Sequence, residues 1–595
     1  MIAHGKPNSR KHGDQAMNES TCNPAVIERL GNQRPDHGAE TPSGARVDAI
    51  DVSRRVGARQ ILQTLSLSVE PGELVAIAGG SGAGKTTLLE ILAGLQPPSA
   101  GELRHDGLAR RARVSAGSAI GYVPQDDILH LEMPLRRTLR YAALLRLPAG
   151  TPAVEAERIV EETLHDLDLA DRADVPVRAL SGGQRKRASI GVELLTRPRL
   201  FFLDEPTSGL DPSTAADVMR LLRRLSRRGI TIVLTTHEPA GIDRCDRVVF
   251  PARDGHLAFT GSPGAARRYF GVENLTEVYE RLAGEHTPAI WAKRFAESRM
   301  NSTTRPDSTQ QPVPPSRSEN KHTGMVRQWW LLTRRNVDVL ARNRLTLAIL
   351  LGSPVLVTAM MATLFRRGAF DPGGAGGVGP AQIVFWIAFD GFFFGLTYGL
   401  LQIVGEMAVF RRERLAGLSV GAYVASKVTA LLPVLAGVSA VLLVVLRALG
   451  RLPAVGWDVY ALLFATIVIE ATSALALGLF ASAAVSNAAQ AALALPMLCF
   501  PQVLFGGAIV PVDQMATPGR LMSLVLSNRH AFDALGRDLG LDRYTTTLPA
   551  MSAYHATFHG GTAASLIALA SFAVALTLAT AWVLNHRSRP GASLR

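Results

Sequence analysis

Hydrophobic residues are distributed unevenly along this chain, and its two halves show different patterns. In the first half, short apolar runs at 74–78, 200–203 and 230–234 alternate with polar and amphipathic stretches. Runs of this length predict buried strands of a parallel sheet with helices between them. From about residue 345 the apolar runs become long and charge-poor. The pattern predicts an α/β domain followed by an all-α domain.

Six of the long runs have the length that a helix needs to cross a bilayer, which is about 20 residues. They cover residues 345–365, 381–404, 428–446, 459–485, 488–510 and 562–584. A buried core helix is the alternative for any one of them, since several contain proline (Pro354, Pro433, Pro496 and Pro501). Six such runs in series favour a six-helix transmembrane domain over residues 345–586.

Polar segments flank these two regions. The tail at 1–46 and the linker at 286–324 are rich in polar residues, glycine and proline, which predicts a disordered tail and a flexible linker. Residues 325–344 mix two tryptophans with five arginines, which is typical of an interfacial amphipathic helix. A packed soluble helix is the alternative. The last segment, 587–595, is expected to be a cytosolic tail.

A glycine-rich loop, GGSGAGKTT at 79–87, follows the first short apolar run. The pattern G-x-x-x-x-G-K-[ST] between a strand and a helix is typical of a phosphate-binding loop, and an ordinary turn is the alternative. Lys85 is expected to reach the outer phosphates, and Thr86 to ligate Mg²⁺. The residues predicted to bind the nucleotide are Gly79, Gly80, Ser81, Gly82, Ala83, Gly84, Lys85, Thr86 and Thr87.

Acidic residues end the second short run, and a histidine follows the third. Asp204 and Glu205 come directly after 200–203, and His237 lies just beyond 230–234. The carboxyl ends of parallel strands form the ligand crevice of such sheets. There Asp204 can hold Mg²⁺ through water, and Glu205 can act as general base on an attacking water. For His237, a structural hydrogen bond is the alternative to a role beside the terminal phosphate.

Together these motifs give residues 47–285 a resemblance to the nucleotide-binding domain of ATP-binding-cassette (ABC) proteins. The region also carries Gln125 in GYVPQDD and the segment LSGGQRKR at 180–187, in the order of the family. The resemblance implies an α/β P-loop fold that binds ATP, with catalytic roles for Glu205, His237 and Gln125. It implies a Mg²⁺ site made by Thr86, Gln125 and Asp204. It also implies ATP contacts from Ser181, Gly182, Gly183, Gln184 and Asp211.

Nearly the whole chain beyond the N-terminal tail resembles, more narrowly, the G subfamily of half-transporters and their bacterial relatives. The narrower likeness is carried by SGGQRKRASIGVELL and TTHEP. One departure concerns the base of the nucleotide. Many ABC domains stack adenine on an aromatic residue past the first strand, whereas this chain has Arg55 and Val56 near that place, so base selectivity is left open.

One chain contains one phosphate loop and one SGGQ segment, whereas the family sandwiches ATP between the loop of one chain and the SGGQ of another. The resemblance therefore implies a dimer with two composite ATP sites, a homodimer or alternatively a heterodimer. The segment 410–427 is expected to couple the membrane part to the region around Gln125. By resemblance, Phe394, Ala508 and Ile509 lie on a substrate path between protomers, with lipid-facing packing as the alternative.

The formal net charge of +13 raises nucleic-acid binding as an alternative. The arginines are spread over loops, linker and membrane flanks, which favours anionic membrane lipid and no nucleic acid. No apolar leader is visible at the N-terminus, so the nucleotide domain and both termini are expected in the cytosol, at the plasma (inner) membrane. The expected function is ATP-driven export of a hydrophobic or amphipathic solute. The alternative is a membrane machine or regulator in which ATP closure acts on a partner without moving a solute.

Overall fold

The computed structural model describes residues 44–109, 120–239, 241–284, 287–300, 323–371 and 379–588. The predicted disorder of the N-terminal tail, the flexibility of most of the linker and the nature of the C-terminal tail fall on residues outside these ranges. The described chain forms two regions, an α/β region and a helical region.

In the described residues of the α/β region, ten strands form two sheets. The strands are β1 (Val47–Val56), β2 (Arg59–Val69), β3 (Leu74–Ala78), β4 (Ala100–His105), β5 (Leu108–Ala109), β6 (Ile120–Val123), β7 (Leu200–Leu203), β8 (Thr231–Thr236), β9 (Arg247–Pro251) and β10 (Leu257–Gly261). An antiparallel sheet has the order β2-β1-β4-β5, and a six-stranded sheet has the order β10-β9-β3-β8-β7-β6. In the larger sheet all neighbours from β9 to β6 run parallel, and β10 is antiparallel at its edge.

The register of the larger sheet brings the predicted site segments to one edge. Ala78, at the end of β3, pairs with Thr236 of β8, and Leu203, at the end of β7, pairs with Leu234 of the same strand. Every residue of β3, β7 and β8 is buried, as expected for strands covered on both faces. The glycine-rich loop, the acidic pair and the histidine therefore leave the sheet side by side.

Eight helices accompany these sheets in the described part of the region. They are α1 (Lys85–Leu92), α2 (Leu135–Arg146), α3 (Ala153–Asp166), α4 (Gly182–Leu194), α5 (Pro212–Arg227), α6 (Pro263–Phe270), α7 (Glu277–Gly284) and α8 (Pro288–Met300). A large apolar core fills the space between the parallel sheet and helices α2 to α8, and a smaller one lies between the two sheets and α1. These cores fix the helix N-termini that surround the sheet edge.

The helical region contains twelve helices in its described residues. They are α9 (Met325–Arg342), α10 (Arg344–Leu364), α11 (Gly379–Leu400), α12 (Met407–Leu415), α13 (Val420–Ala448), α14 (Trp457–Ala484), α15 (Ala488–Leu504), α16 (Thr517–Leu524), α17 (Ser527–Asp538), α18 (Asp542–Thr547), α19 (His555–Phe558) and α20 (Ala563–Arg587). Five segments are long and apolar enough to cross a membrane: α10, α11 continued through α12, α13, α14 and α20. The run predicted as a span at 488–510 contains only the shorter helix α15. The count of six spans stays a prediction.

Helices α11 and α14 share the most extensive contact of any two helices in the described chain. Glycine makes this possible, because a Cβ atom at Gly395 would lie 2.2 Å from the carbonyl oxygen of Ala471. One turn further on, a Cβ atom at Gly399 would lie 2.6 Å from the carbonyl oxygen of Leu475. Small residues at such a crossing let two backbones meet, as they do in membrane helix pairs.

Helix α9 covers most of the segment predicted as an interfacial helix, and one of its faces is packed against protein. It lies along α13 and also contacts α2 of the α/β region. Leu332 and Arg335 are buried, and the indole Nε1 of Trp329 donates a hydrogen bond to Thr429 Oγ1 at 3.1 Å. Trp330 is exposed. The placement of this helix at a membrane surface stays a prediction.

Candidate nucleotide site

The glycine-rich loop wraps around the amino group of Lys85. Lys85 Nζ donates hydrogen bonds to the carbonyl oxygens of Gly79 and Gly80, at 2.8 and 3.1 Å. Gly82 and Gly84 have φ angles of 80° and 82°, a left-handed conformation that residues with a Cβ rarely adopt. Burial lowers the pKa of Lys85, and the nearby carboxylates of Glu205 and Asp204 oppose that shift. The loop thus holds a charged amine at the start of α1.

Asp204 joins three segments at the sheet edge. Its Oδ1 atom accepts hydrogen bonds from Thr86 Oγ1, at 3.2 Å, and from Thr235 Oγ1, at 2.5 Å. A threonine hydroxyl beside a carboxylate is an oxygen-donor pair of the kind that Mg²⁺ prefers. The described residues contain no group of three or more His, Cys, Asp or Glu side chains that could hold a metal ion. A Mg²⁺ ion would therefore need further oxygens, which nucleotide phosphates provide.

Glu205 lies between Gln125 and His237. Its Oε2 atom accepts a hydrogen bond from Gln125 Nε2 at 3.3 Å and lies 3.0 Å from His237 Nδ1. The φ angle of Glu205 is 44°, so a residue with a Cβ occupies the left-handed region directly after β7. Its backbone N–H donates to Thr235 Oγ1 at 2.9 Å, which helps hold this conformation. Such strained residues are typical of functional sites.

The SGGQ segment forms the N-terminus of α4. Ser181 Oγ accepts from the backbone N–H of Gln184 at 3.3 Å, and Gln184 Oε1 accepts from the backbone N–H of Ser181 at 3.0 Å. This reciprocal pair is a capping box. Farther along the helix, Lys186 Nζ donates to the carbonyl oxygen of Gln125 at 2.7 Å and lies 3.2 Å from Asp127 Oδ1. Helix α4 is thereby tied to the loop that carries Gln125.

Asp211 starts the next helix. Its Oδ1 atom accepts from Ser213 Oγ at 2.6 Å and from the backbone N–H of Thr214 at 3.0 Å. These hydrogen bonds from Ser213 and Thr214 hold the pKa of Asp211 well below its usual range. In the described chain neither Asp211 nor Ser181 hydrogen-bonds to the glycine-rich loop or to the acidic pair. The loop, Asp204, Glu205, Gln125 and His237 come together, whereas Ser181 and Asp211 stay apart from them.

The residues near the expected adenine position are exposed. Arg55 Nε donates to Gln60 Oε1 at 3.1 Å on the neighbouring strand, and Val56 is exposed at the end of β1. Neither side chain has a contact that fixes it for stacking on a base.

The individual charged residues that join the two regions are the largest feature that sequence reasoning missed. Arg412 of α12 is buried against the α/β region, where its Nε donates to Glu193 Oε1 at 2.9 Å. Its two Nη atoms donate to the carbonyl oxygens of Ile128 and Ser189, at 2.5 and 3.1 Å. Arg146 Nη1 donates to the second oxygen of Glu193 at 2.8 Å. Burial raises the pKa of Glu193, but the two guanidinium groups outweigh that effect and lower it.

Further buried charges surround this contact. Arg335 of α9 pairs with Glu413, the residue after Arg412, and Lys427 Nζ lies 2.5 Å from Glu406 Oε2. The segment 410–427 was expected to lie near Gln125, and its Arg412 contacts Ile128 in the same loop. Two features of the sequence could have indicated this contact. They are a glutamate inside the apolar stretch of α4 and the charged sequence RRER after the second span.

The predicted substrate path includes Phe394, Ala508 and Ile509, and it stays a prediction. The side chain of Phe394 is 3% exposed and packs beside Phe393 and Tyr398. Ile509 is 59% exposed, while the carbonyl oxygen of Ala508 accepts a hydrogen bond from Tyr554 at 2.6 Å. The partly exposed aromatic residues of α11 are Trp386, Phe389 and Phe393.

Comparison with known proteins identifies two families along the chain. Residues 62–208 match the family described as ABC transporter, and residues 327–536 match the family described as ABC-2 type transporter. The first match lies within the α/β region and the second within the helical region.

Individual proteins are similar to one or both regions. The ABC transporter ATP-binding/permease protein Rv1747 of Mycobacterium tuberculosis is 34% identical over 481 residues, which are 78% of this chain and 55% of that protein. The broad substrate specificity ATP-binding cassette transporter ABCG2 of Bos taurus is 38% identical over 226 residues, which are 37% of this chain and 34% of that protein. The chain thus matches about half of the first relative and a third of the second.

A solved structure of cbiO1 from Clostridium perfringens, part of the ABC transporter complex cbiONQ, is 26% identical. The match covers 42% of this chain and 98% of the chain in that structure, with a TM-score of 0.36.

Proposed function

We propose that this chain, which carries an ABC transporter ATPase domain followed by an ABC-2 type membrane domain in the order of G-subfamily half-transporters, is one half of an ATP-driven exporter. One observation carries the proposal. The loop that places Gln125 beside Glu205 also supplies the carbonyl oxygen of Ile128 to Arg412 of the helical domain. A change at the terminal phosphate of ATP therefore has a short path to the membrane helices.

The residues at the sheet edge suit ATP hydrolysis. Lys85 and the loop amides would bind the phosphates, and Glu205 would accept a proton from the attacking water. His237 and Gln125, which contact Glu205, would orient that carboxylate and the water beside the terminal phosphate. Thr86 and Asp204, with Gln125, would hold Mg²⁺, which neutralises charge on the β- and γ-phosphates when bound.

Two chains would make two complete ATP sites. Among the described residues, Ser181 makes no hydrogen bond to the phosphate loop of the same chain, and the helix N-terminus that it caps is of the kind that binds phosphate well. We place this segment against ATP bound to a second protomer, together with Gly182, Gly183, Gln184 and Asp211. A homodimer satisfies the arrangement, and a heterodimer with a related chain is the alternative.

A mixed-chain experiment tests the composite site. Ser181→Arg chains and Lys85→Ala chains are expected to be inactive when each is expressed by itself. Co-expressed with separate affinity tags and purified through both, the mixed dimer should recover at most one of its two sites, and therefore at most half of the wild-type ATP turnover. Full turnover by a strictly monomeric wild-type protein would contradict the dimer.

Export is tested with the same protein in liposomes. The nucleotide domain faces outward in the correctly oriented fraction, so added ATP should drive a hydrophobic or amphipathic solute into the vesicle lumen. Solutes are first screened for stimulation of ATP turnover, and those that stimulate are then followed for movement, with Glu205→Gln protein as the control. Stimulation without movement of any solute would favour the alternative, in which ATP closure acts on a membrane partner.

A further inference from the structure

Three arginines lie together where α12 meets the C-terminal end of α20. Arg414 Nη2 donates to Asn585 Oδ1 at 3.2 Å, and Arg587 Nη1 donates to the carbonyl oxygen of Val485, at 2.7 Å, and to that of Ala483. Arg411 lies three residues before Arg414 on α12, so the two side chains share one face of that helix. The three residues, Arg411, Arg414 and Arg587, are called the arginine cluster below.

No acidic side chain neutralises this cluster in the described part of the chain. None of its three guanidinium groups takes part in an ion pair there, and the side chain of Arg411 has no hydrogen-bond partner among the described residues. The two residues between Arg411 and Arg414 do form ion pairs. Arg412 is paired with Glu193, and Glu413 is paired with Arg335. Helix α12 therefore turns a neutralised face to the ATPase domain and an unneutralised face to α20.

An exposed apolar stripe leads up to the cluster. Val574, Leu578 and Trp582 are all exposed and lie four residues apart on α20, so they share one face of the helix. The ring of His586, the next residue on that face, lies 5.9 Å from the ring of Trp582. The apolar stripe thus ends beside Arg587 at the last turn of the helix.

We propose that the arginine cluster binds the phosphate of an anionic phospholipid, with an acyl chain along Val574, Leu578 and Trp582. Guanidinium groups bind phosphate oxygens through paired hydrogen bonds, and unneutralised arginines at the cytosolic end of a span attract anionic lipid. The proposal rests on the membrane placement in the proposed function. The bound lipid would hold α12 from the side opposite Arg412, and so would strengthen the contact through which the two domains communicate.

Lipid retention tests the site without relying on transport. Full-length protein is purified from membranes in mild detergent, incubated with phosphatidylglycerol or phosphatidylcholine, and analysed by native mass spectrometry. Wild-type protein should retain phosphatidylglycerol several-fold better than Arg411→Gln, while Arg411→Lys should retain an intermediate amount. Arg253→Gln removes the same charge from an exposed position in the α/β region and should behave as wild type. Equal retention by Arg411→Gln and wild type would overturn the proposal.

ATP turnover in liposomes tests the consequence and the source of the phosphate. Phosphatidylglycerol added to phosphatidylcholine vesicles should raise wild-type turnover several-fold and should leave Arg411→Gln near its value in pure phosphatidylcholine. Soluble glycerol phosphate added to neutral vesicles should have no such effect. If it stimulates as strongly as the lipid, the cluster binds a free phosphate compound and the lipid assignment is wrong. A protein that retains the lipid but transports no solute would contradict only the proposed export.

Discussion

The nucleotide site and the domain junction both collect charged side chains, but they use them in opposite ways. At the nucleotide site the side chain of His237 is 53% exposed and Glu205 makes only two side-chain contacts. At the junction, Arg412 and Glu193 are each less than one tenth exposed, and every oxygen of that glutamate is paired. The first region keeps hydrogen-bonding capacity for a ligand, whereas the second uses its capacity to hold two domains together.

This difference predicts what a substitution does in each region. Removing the charge of Glu205 from the nucleotide site should change chemistry and leave the fold intact, because its partners Gln125 and His237 are exposed to water. Removing a charge from the junction should destabilise the protein, because the partner is left buried without a counter-charge. Four experiments test this contrast, beginning with the largest expected effect.

Glu205→Gln should lower ATP turnover by about 100-fold or more, because the amide cannot accept a proton from water and general bases contribute roughly 10² to 10⁴ in rate. ATP affinity and the melting temperature should stay close to those of wild type. Turnover by phosphate release and binding of a fluorescent ATP analogue measure the two properties. The neighbouring Glu238→Gln is the matched control and should turn over ATP normally. A much lower melting temperature for Glu205→Gln would show that this charge also stabilises the fold, which would contradict the expected difference from the junction.

Arg412→Met should lower the free energy of unfolding by about 3 kcal/mol, because Glu193 keeps only Arg146 as a partner in a buried position. Denaturation in detergent, followed by tryptophan fluorescence, measures the change. Arg334→Met loses the same charge from an exposed position and should change stability little. The double variant Arg412→Met with Glu193→Gln should regain part of the loss, since the unpaired charge is then absent. An Arg412→Met protein as stable as wild type would mean that the junction is not held by this pair.

Acidification should weaken the junction through His130. The pKa of this histidine is lowered to about 4. Burial is the main cause, the charges of Arg335 and Lys427 act in the same direction, and the carboxylates of Glu406 and Glu413 oppose them. The unfolded chain binds a proton near pH 6.5 while the folded chain does not, so the stability that His130 contributes is complete above 6.5 and is lost as the pH falls toward 4. Between pH 6.5 and 5.5 the loss should be about 1 kcal/mol.

The His130 effect is measured as the difference between wild type and His130→Asn in melting experiments across this pH range. The variant should lose less stability than wild type on acidification. Parallel curves for the two proteins would show that His130 is free to take up a proton in the folded state.

Tyr141→Phe should have the smallest effect. The hydroxyl donates to Asp338 Oδ2 at 2.9 Å and links α2 to α9, but Arg137 Nη1 also donates to that carboxylate at 2.8 Å. Removing the hydroxyl leaves the charge pair in place, so the free energy of unfolding should fall by only about 0.5 kcal/mol. Arg137→Met in the same background should cost more than in wild type, because Asp338 then loses both partners. Additive losses would mean that the two contacts are independent.

The same contrast explains what the sequence could predict. Lys85, Asp204, Glu205 and His237 each follow a short apolar strand, and the carboxyl ends of parallel strands meet at one sheet edge whatever the details of packing. The order of the strands along the chain was therefore enough to predict that these four residues lie near one another. The ATPase fold and the helical character of the second domain followed from the same pattern.

The junction and the faces of the membrane helices could not be predicted in that way. Arg412 and Glu193 are 219 residues apart, and no local pattern marks them as partners. The burial of Phe394 could not be read from periodicity, because α11 is apolar all round and its sequence marks no buried face. Within the predicted fifth span, 488–510, the helix ends at Leu504, whereas the apolar composition on which those bounds rest continues beyond it.

The glycine contacts between α11 and α14 determine which parts of the membrane domain can move. At Gly395 and Gly399 the two backbones meet with no side chain between them, so we expect the two helices to move together. Helix α15 is built differently, with Pro496 and Pro501 inside it, and each proline lacks the N–H that would close a turn. If the proposed export is correct, bending should be concentrated in α15, while α11 and α14 should transmit the rotation without deforming.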